Sequence, residues 1–336
     1  MITLENRQLV IRFPDIHPHA EARISFQRTL RIPDNGKDHP LPPGMGHFPL
    51  HHVEDYQKNL PEKWAQHGGV FMPMYQSEAL WLSFGSGRHD YPIALQIAAG
   101  KINAVNGEPW REEMQFDPQG YVVTGQQPWL DGFCVEKGRV RQFVAAPLGS
   151  GMSVEEQITG EAQFGGLQIK AWPLKASLYE ETLLDRRAKF SRTDDFWDGM
   201  VMESAQMDMG LGMGGSMKQD IYDDTFGPED WDTSTSSRCY VHLLNSLSYA
   251  KVTGHLPPHR PYEAADYAAA GLPWFDYYSD RSSVEGSDAF KDLKTWKDFQ
   301  KENDEQAIAI EPKTIIHLEE KAGLGQPVSE GKSFSA

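Results

Sequence analysis

The sequence predicts an α+β protein: an antiparallel β-sandwich or barrel-like N-terminal part, with a helical and irregular C-terminal part packed on it. Three observations carry this. Residues 22–32 alternate cleanly, with Ile24, Phe26, Leu30 and Ile32 on one parity and Arg23, Ser25, Gln27, Thr29 and Arg31 on the other, which is a strand with one buried face. Short strand-like runs recur through the first 170 residues, joined by turn residues rather than by helices, which favours hairpins over a doubly wound sheet. Beyond about residue 175 the alternation fades and helix start and stop signals take over.

Taken in order, residues 8–13 are a plausible partner for 22–32. Residues 49–66 read as helical, with Val53, Tyr56, Leu60 and Trp64 on one side and a break available at Pro61. Strands are expected at 70–74, 78–84, 92–98 and 101–105, the last closed by the Asn106-Gly107 turn. Residues 129–135 and 139–145 flank Glu136-Lys137-Gly138 as a hairpin, and 163–172 is a further strand. Residues 239–252 are apolar enough for core, as strand, helix or both. A helix is expected over 261–270, which opens with Pro261 and stops before Gly271 and Pro273. Another is expected over 287–299, with Ser287 as N-cap and Phe290, Leu293 and Trp296 on one face. A short strand fits 314–318, and the last dozen residues have a disordered composition. The division is 1–175 (β-rich), 176–300 (helical and irregular) and 301–336 (polar tail), with a soft boundary near 175–190.

Composition narrows the function. The 336 residues carry 32 Lys and Arg against 48 Asp and Glu, a net charge of −16. That argues against nucleic acid and against anionic membranes as partners. No run reaches the ~18 apolar residues of a membrane helix, and the N-terminus lacks the apolar core of a signal peptide, so the expected location is the cytoplasm. Cys134 and Cys239 are too few for a disulfide framework; both read as inert core thiols.

The least ordinary stretch is 199–232. It holds Met200, Met202, Met207, Met209, Met213 and Met217 among glycines, and residues 194–232 carry 11 acids against Lys218 alone. Three readings are open. The thioethers Met209, Met213 and Met217, four apart, could collect a soft ion such as Cu(I), although the glycines oppose a helix. Asp220, Asp223 and Asp224 could hold a hard divalent metal, although they lack the EF-hand register. Or the methionines fill an interior seam, the glycines allow close backbone approach and the acids face water. If exposed, the segment would suit a protein partner with a basic surface.

Other candidates are weaker. His47, His51 and His52 belong to a run of six histidines between 17 and 52 and could contribute to a metal site, though HExxH is absent. Trp274, Phe275, Tyr277 and Tyr278 could line a pocket for a small apolar ligand, with Asp276 orienting it, or could wedge the C-terminal part onto the sheet. Glu78 stands in an otherwise uncharged stretch and would have a raised pKa if buried; Asp131 and Glu136 raise the same question. The patterns GxSxG, GxxxxGK[ST] and GxGxxG are absent, and Ser248-x-x-Lys251 stands without its companion motifs.

The stretches WLDGFCVEKGRVRQFVA, SVEEQITGEAQFGGLQI, GLGMGGSMKQDIYDD and GLPWFDYYSD, which span roughly 129–280, resemble a family of uncharacterised bacterial and fungal proteins. Some of its members carry an integral-membrane label that no apolar run of this chain supports. The resemblance implies no reaction, cofactor or catalytic residue. The leading expectation is a non-enzymatic cytoplasmic binding protein that uses Met209, Met213, Met217 and the 274–278 aromatics as one surface. The alternatives are a metal-dependent, hydrolase-like enzyme that uses the carboxylates of 220–232 or His47, His51 and His52, and a structural subunit of an assembly.

Overall fold

In the computed structural model, the described residues are 1–87, 89–161, 163–186, 208–262, 266, 274–279, 281–299 and 315–320. The strands are β1 (Ile2–Glu5), β2 (Gln8–Arg12), β3 (Glu21–Thr29), β4 (His51–His52), β5 (Val70–Met74), β6 (Ala79–Ser86), β7 (Ile93–Ala99), β8 (Ile102–Asn103), β9 (Val122–Val123), β10 (Trp129–Leu130), β11 (Gly132–Glu136), β12 (Arg139–Pro147), β13 (Leu167–Pro173), β14 (Asp208–Lys218), β15 (Ser237–Asn245), β16 (Trp274–Ser279) and β17 (Ile315–Glu320). The α-helices are short: α1 (Glu62–His67), α2 (Val154–Thr159), α3 (Ala176–Arg186), α4 (Ser246–Thr253) and α5 (Trp296–Phe299).

The first fifteen strands form one open sheet, in the order β1-β2-β3-β6-β12-β14-β15-β13-β7-β8. Off that path, β10 lies beside β6, β11 beside β12, β5 beside β15, β4 beside β5 and β9 beside β7. Every pair in it is antiparallel except β5 with β15. β16 and β17 make a separate parallel pair. The fold is therefore α+β with a dominant antiparallel sheet and little helix. Strand alternation sets the core: Ile24 and Phe26 on β3, Leu80 and Leu82 on β6, Ile97 on β7 and Ile169 on β13 are all fully buried.

The hairpin at 136–138 forms as expected, with Glu136 opposite Arg139 and Gly138 at φ +72°. Pro61 does divide the 49–66 segment: a 3-10 turn covers Val53–Asn59 and α1 begins after it. Val53, Leu60 and Trp64 pack with Phe71, Leu244, Tyr249 and Val252 as a satellite core. Residues 237–253 are strand and then helix, with the Asn245 side chain accepting from the amides of Leu247 and Ser248 as the N-cap of α4. The helix expected over 287–299 is not continuous. Ser287 caps only a 3-10 turn at Asp288–Phe290, and the chain restarts as α5, with the Asp298 carboxylate accepting from Thr295 N at 3.0 Å. Phe290 and Trp296 are nonetheless buried. Most of the helix expected over 261–270 and the end of the tail lie outside the described residues.

The largest correction concerns the methionine segment. Met209, Met213 and Met217 lie on β14, between β12 and β15, and each is at most 1% exposed. They are core, and neither a helical sulfur ladder nor an accessible surface. A spacing of four fits a strand face as well as a helix face, and the glycines decide between the two. Arg141 pairs with Ser216 and Phe143 with Met213, so Gly214 and Gly215 share the place opposite Gln142 as a β-bulge. A Cβ on Gly215 would fall 2.7 Å from the carbonyl oxygens of Ile32 and Pro33, and one on Gly214 2.6 Å from Val144 Cγ2. Residues 30–33 close over this point: Gln142 Nε2 donates to Leu30 O at 2.9 Å and its Oε1 accepts from Ile32 N at 2.7 Å.

Gly215→Ala is therefore expected to destabilise the fold by about 1–3 kcal/mol through overpacking against backbone. Gly85→Ala, whose Cβ would meet nothing closer than 3.6 Å, serves as the control. Urea melts that place both variants together would refute this account of the bulge.

Candidate functional site

The acidic segment after β14 is fastened along residues 119–131 by three glutamines. Gln219 Nε2 donates to Trp129 O at 2.9 Å and its Oε1 accepts from Asp131 N at 3.0 Å. Gln127 Nε2 donates to Trp129 O and Asp220 O while its Oε1 accepts from Tyr222 N. Gln119 bonds Tyr121 O, Tyr222 O and Asp224 N in the same way. A primary amide offers both donors and an acceptor, so each glutamine stands in for a rung of β-ladder where no regular strand pairing exists.

This fastening delivers Asp224 to a half-buried polar junction. Its Oδ2 accepts from Tyr121 OH and from Trp231 Nε1, each at 2.7 Å, and its Oδ1 accepts from Phe226 N at 2.9 Å. Burial pushes the Asp224 carboxyl up, against the pull of these donors. The Tyr121 phenol is pushed up by burial and by that carboxylate, which keeps it a donor. The junction fixes the conformation of Thr225 and Phe226.

Those two residues form one wall of a half-open cleft of about 410 Å³, completed by Asp90, Pro92, Thr124, Gly125, Gln126 and Arg281. The volume lies within the range of small-molecule sites. The Thr124–Gln127 turn makes the floor. Val123 O accepts from both Gln126 N and Gln127 N, and Gly125 takes φ +79°, a conformation that favours glycine. A Cβ on Gly125 would meet no atom within 4 Å. Thr124 Oγ1 accepts from Ile93 N at 3.0 Å, locking the turn to β7. Gln126 Nε2 donates to Thr225 Oγ1 at 2.7 Å and Arg281 Nη1 donates to Gln126 O at 3.1 Å, joining floor and walls. Asp90 sits at φ +50°, which its short polar side chain tolerates, and its Oδ1 accepts from Ser86 Oγ at 2.6 Å.

The structure does not bring the expected metal ligands together. Asp220 accepts from Ser283 Oγ at 2.7 Å, Asp224 is committed to the junction above, and Asp223 is held through its backbone amide to Ser282 O. His51 Nε2 lies 2.8 Å from Tyr249 OH and its ring stacks on Phe71; burial lowers its pKa. His52 is the next residue of the two-residue strand β4, so it points to the opposite face. His47 lies beside Gln27 in an isolated bridge to β3. Among the described residues no three His, Cys, Asp or Glu side chains form a group that could hold a metal ion. Trp274, Phe275, Tyr277 and Tyr278 are on β16, whose side chains lie outside the description.

Glu78 is buried, as its sequence setting suggested, and it faces an arginine that the sequence reading passed over. Arg28 shares the parity of Ile24, Phe26, Leu30 and Ile32, and it is 0% exposed. Its Nε donates to Glu78 Oε1 at 3.0 Å, its Nη2 bonds the same oxygen, and Nη2 also donates to Arg260 O at 2.7 Å. Glu78 Oε2 accepts from Tyr75 N at 3.0 Å. The guanidinium lies over the rings of Phe48 and Tyr262, at 5.5 and 4.8 Å. A charged residue on an apolar parity was the available signal.

Among the described residues no helix is long and apolar enough to cross a membrane. Comparison with known proteins returns no matching family model, no matching curated protein and no matching solved structure.

Proposed function

We propose that this chain is a cytoplasmic, non-enzymatic binding protein that takes a small polar ligand in the cleft between Asp90, the Thr124–Gln126 turn, Thr225 and Arg281. The observation that carries the reading is the cleft itself: a half-open space of about 410 Å³ whose walls are held by side-chain hydrogen bonds. Preorganised walls reduce the ordering cost of binding. The lining offers a carboxylate, a guanidinium, an amide and two hydroxyls. Among its described residues no nucleophile is paired with a general base, which favours binding over chemistry. The acidic segment keeps a role in this reading, as the strap whose glutamine clasps and Asp224 junction set the wall.

Thr225 is exposed at the rim, so Thr225→Trp should fill the cleft without disturbing the core. In a thermal-shift screen of polar metabolites, ligands of the native protein are expected to raise its Tm. A ligand at one hundred times its Kd adds about 2.7 kcal/mol. The same compounds should leave Thr225→Trp unshifted. Compounds that stabilise both proteins equally would place binding elsewhere and defeat the reading.

A further inference from the structure

The chain holds two Asn-Gly steps, Asn35-Gly36 and Asn106-Gly107, and the fold treats them oppositely. We infer that Asn35 is a site of self-modification. The Gly36 amide displaces the Asn35 side-chain nitrogen as ammonia, leaving a succinimide that water opens to aspartate or isoaspartate. The site shares no residue with the cleft and does not depend on it.

The first support is the setting of the Asn35 carbonyl. Asn35 Oδ1 accepts from Lys37 N at 3.0 Å. A backbone amide can only donate, so the atom facing it is the oxygen and not the nitrogen of the side chain. His39 Nε2 lies 3.1 Å from the same oxygen. A carbonyl only accepts, so the ring presents an N–H there. Attack on Asn35 Cγ moves negative charge onto this oxygen, and two N–H donors at 3.0 and 3.1 Å are placed to receive it, as in an oxyanion hole. The second is the nucleophile. Gly36 N donates to no described residue, and Gly36 takes φ +76°, where a Cβ would meet no atom within 4 Å. Asn35 and Gly36 are both exposed, so water reaches the reacting atoms. The third is tethering. Asp34 accepts from Arg141 Nη1 at 2.9 Å and from Thr295 Oγ1 at 2.6 Å. On the other side, His39 N donates to Ser216 O at 3.0 Å and His39 O accepts from Lys218 N at 2.9 Å. The step is held at both ends, and the His39 ring is delivered to Asn35 by the strand it bonds, which is catalysis by positioning.

Asn106-Gly107 has the same two residues in the reverse setting. Asn106 is 8% exposed, its Nδ2 donates to Pro118 O at 3.0 Å, and Gly107 N donates to Asn103 O at 3.0 Å. There the leaving nitrogen and the attacking nitrogen are both engaged. At Asn35 the bond from Gly36 N to Cγ forms as the Cγ–Nδ2 bond breaks. The Gly36 proton passes through water to Nδ2, which departs as ammonia, and one water then opens the ring. The product carries a carboxylate in place of the amide, and its iso form adds a methylene to the main chain between the two tethers.

The test incubates the full chain near neutral pH, folded and, in parallel, unfolded in guanidinium chloride, and follows both steps by peptide-mass mapping of the amide-to-acid conversion. Folded Asn35 is expected to convert at least about threefold faster than in the unfolded chain, because the donors are in place. Folded Asn106 is expected to convert at least about tenfold more slowly than in the unfolded chain, because its attacking nitrogen is held away. His39→Leu, which removes one donor, should return Asn35 to its unfolded rate or below. Where His39→Leu does not fold, the folded-to-unfolded ratio of the native protein decides alone. A smaller ratio for Asn35, or a folded His39→Leu protein that converts as fast as the native one, would overturn the inference.

Discussion

Replacing Glu78 with glutamine is expected to cost about 3–5 kcal/mol of stability, the magnitude for removing one partner of a buried ion pair. The isosteric amide removes charge and little volume, so the loss reports the electrostatics of the site. The guanidinium left behind is of a kind that proteins do not deprotonate. Without the carboxylate it keeps the Arg260 carbonyl and the faces of Phe48 and Tyr262, which cannot replace a full opposite charge. Burial pushes the Glu78 carboxyl up, while Arg28 and the Tyr75 amide draw it down. Combining Glu78→Gln with Arg28→Met should recover most of the loss, because no uncompensated charge is then buried and the glutamine still accepts from Tyr75 N. Denaturant melts of the two single variants and the double variant measure the coupling. A double variant no more stable than Glu78→Gln would show that the pair acts through packing rather than charge.

Asp131 should show the opposite sign. It is 0% exposed, and neither carboxylate oxygen makes a hydrogen bond of full geometry with a described residue, the Trp129 indole being a donor close by. Burial pushes its pKa well above the ordinary carboxylate range, and the Trp129 side chain opposes this only in part. The folded protein thus holds the proton while the unfolded chain releases it above about pH 4. Below the unfolded pKa both states hold the proton, and Asp131 then behaves as a side chain that cannot ionise. As pH rises from there toward the folded pKa, the fold loses stability at up to about 1.4 kcal/mol per unit. Asp131→Asn, neutral throughout, is expected to match the native protein near pH 4 and to exceed it by a margin that widens as the pH is raised toward 8. Urea melts across that range decide the matter, and parallel pH profiles for the two proteins would contradict it.

How far the structure could be read from the sequence follows from the range of each interaction. Strand β3 was legible because Ile24 and Phe26 share one parity with Leu30 and Ile32 just beyond its end, and the hairpin at 136–138 because Gly138 marks it. Pro61 announced its break, and Ser287 announced a cap. What followed Ser287 was decided by Thr295 and Asp298, which stop one helix from running through. The methionine strand was ambiguous in kind, since a spacing of four satisfies both periodicities. Its glycines settle it by contacts with Ile32, Pro33 and Val144, residues some 70 to 180 positions away. The cleft left no local trace. Asp90, the Thr124–Gln126 turn, Thr225–Phe226 and Arg281 come from four separate connections, each with ordinary turn composition, and only the sheet places them side by side. The glutamine clasps are equally silent, because an amide that mimics a backbone rung obeys no periodicity.

The order of strands also bears on how the chain is made. In the sheet path, β1, β2, β3, β6 and β12 form one flank and β13, β7 and β8 the other, and β14 and β15 stand between them. A ribosome releases both flanks before the two strands that join them. Until residues 208–245 emerge, β12 and β13 each present an unpaired edge to the crowded cell, an invitation to cross-pairing between nascent copies. The joining strands must then find partners far upstream, which slows folding. Chains that end near residue 186 are therefore expected to aggregate, and production of the protein should depend on chaperones that shield the nascent edges until the keystone pair arrives.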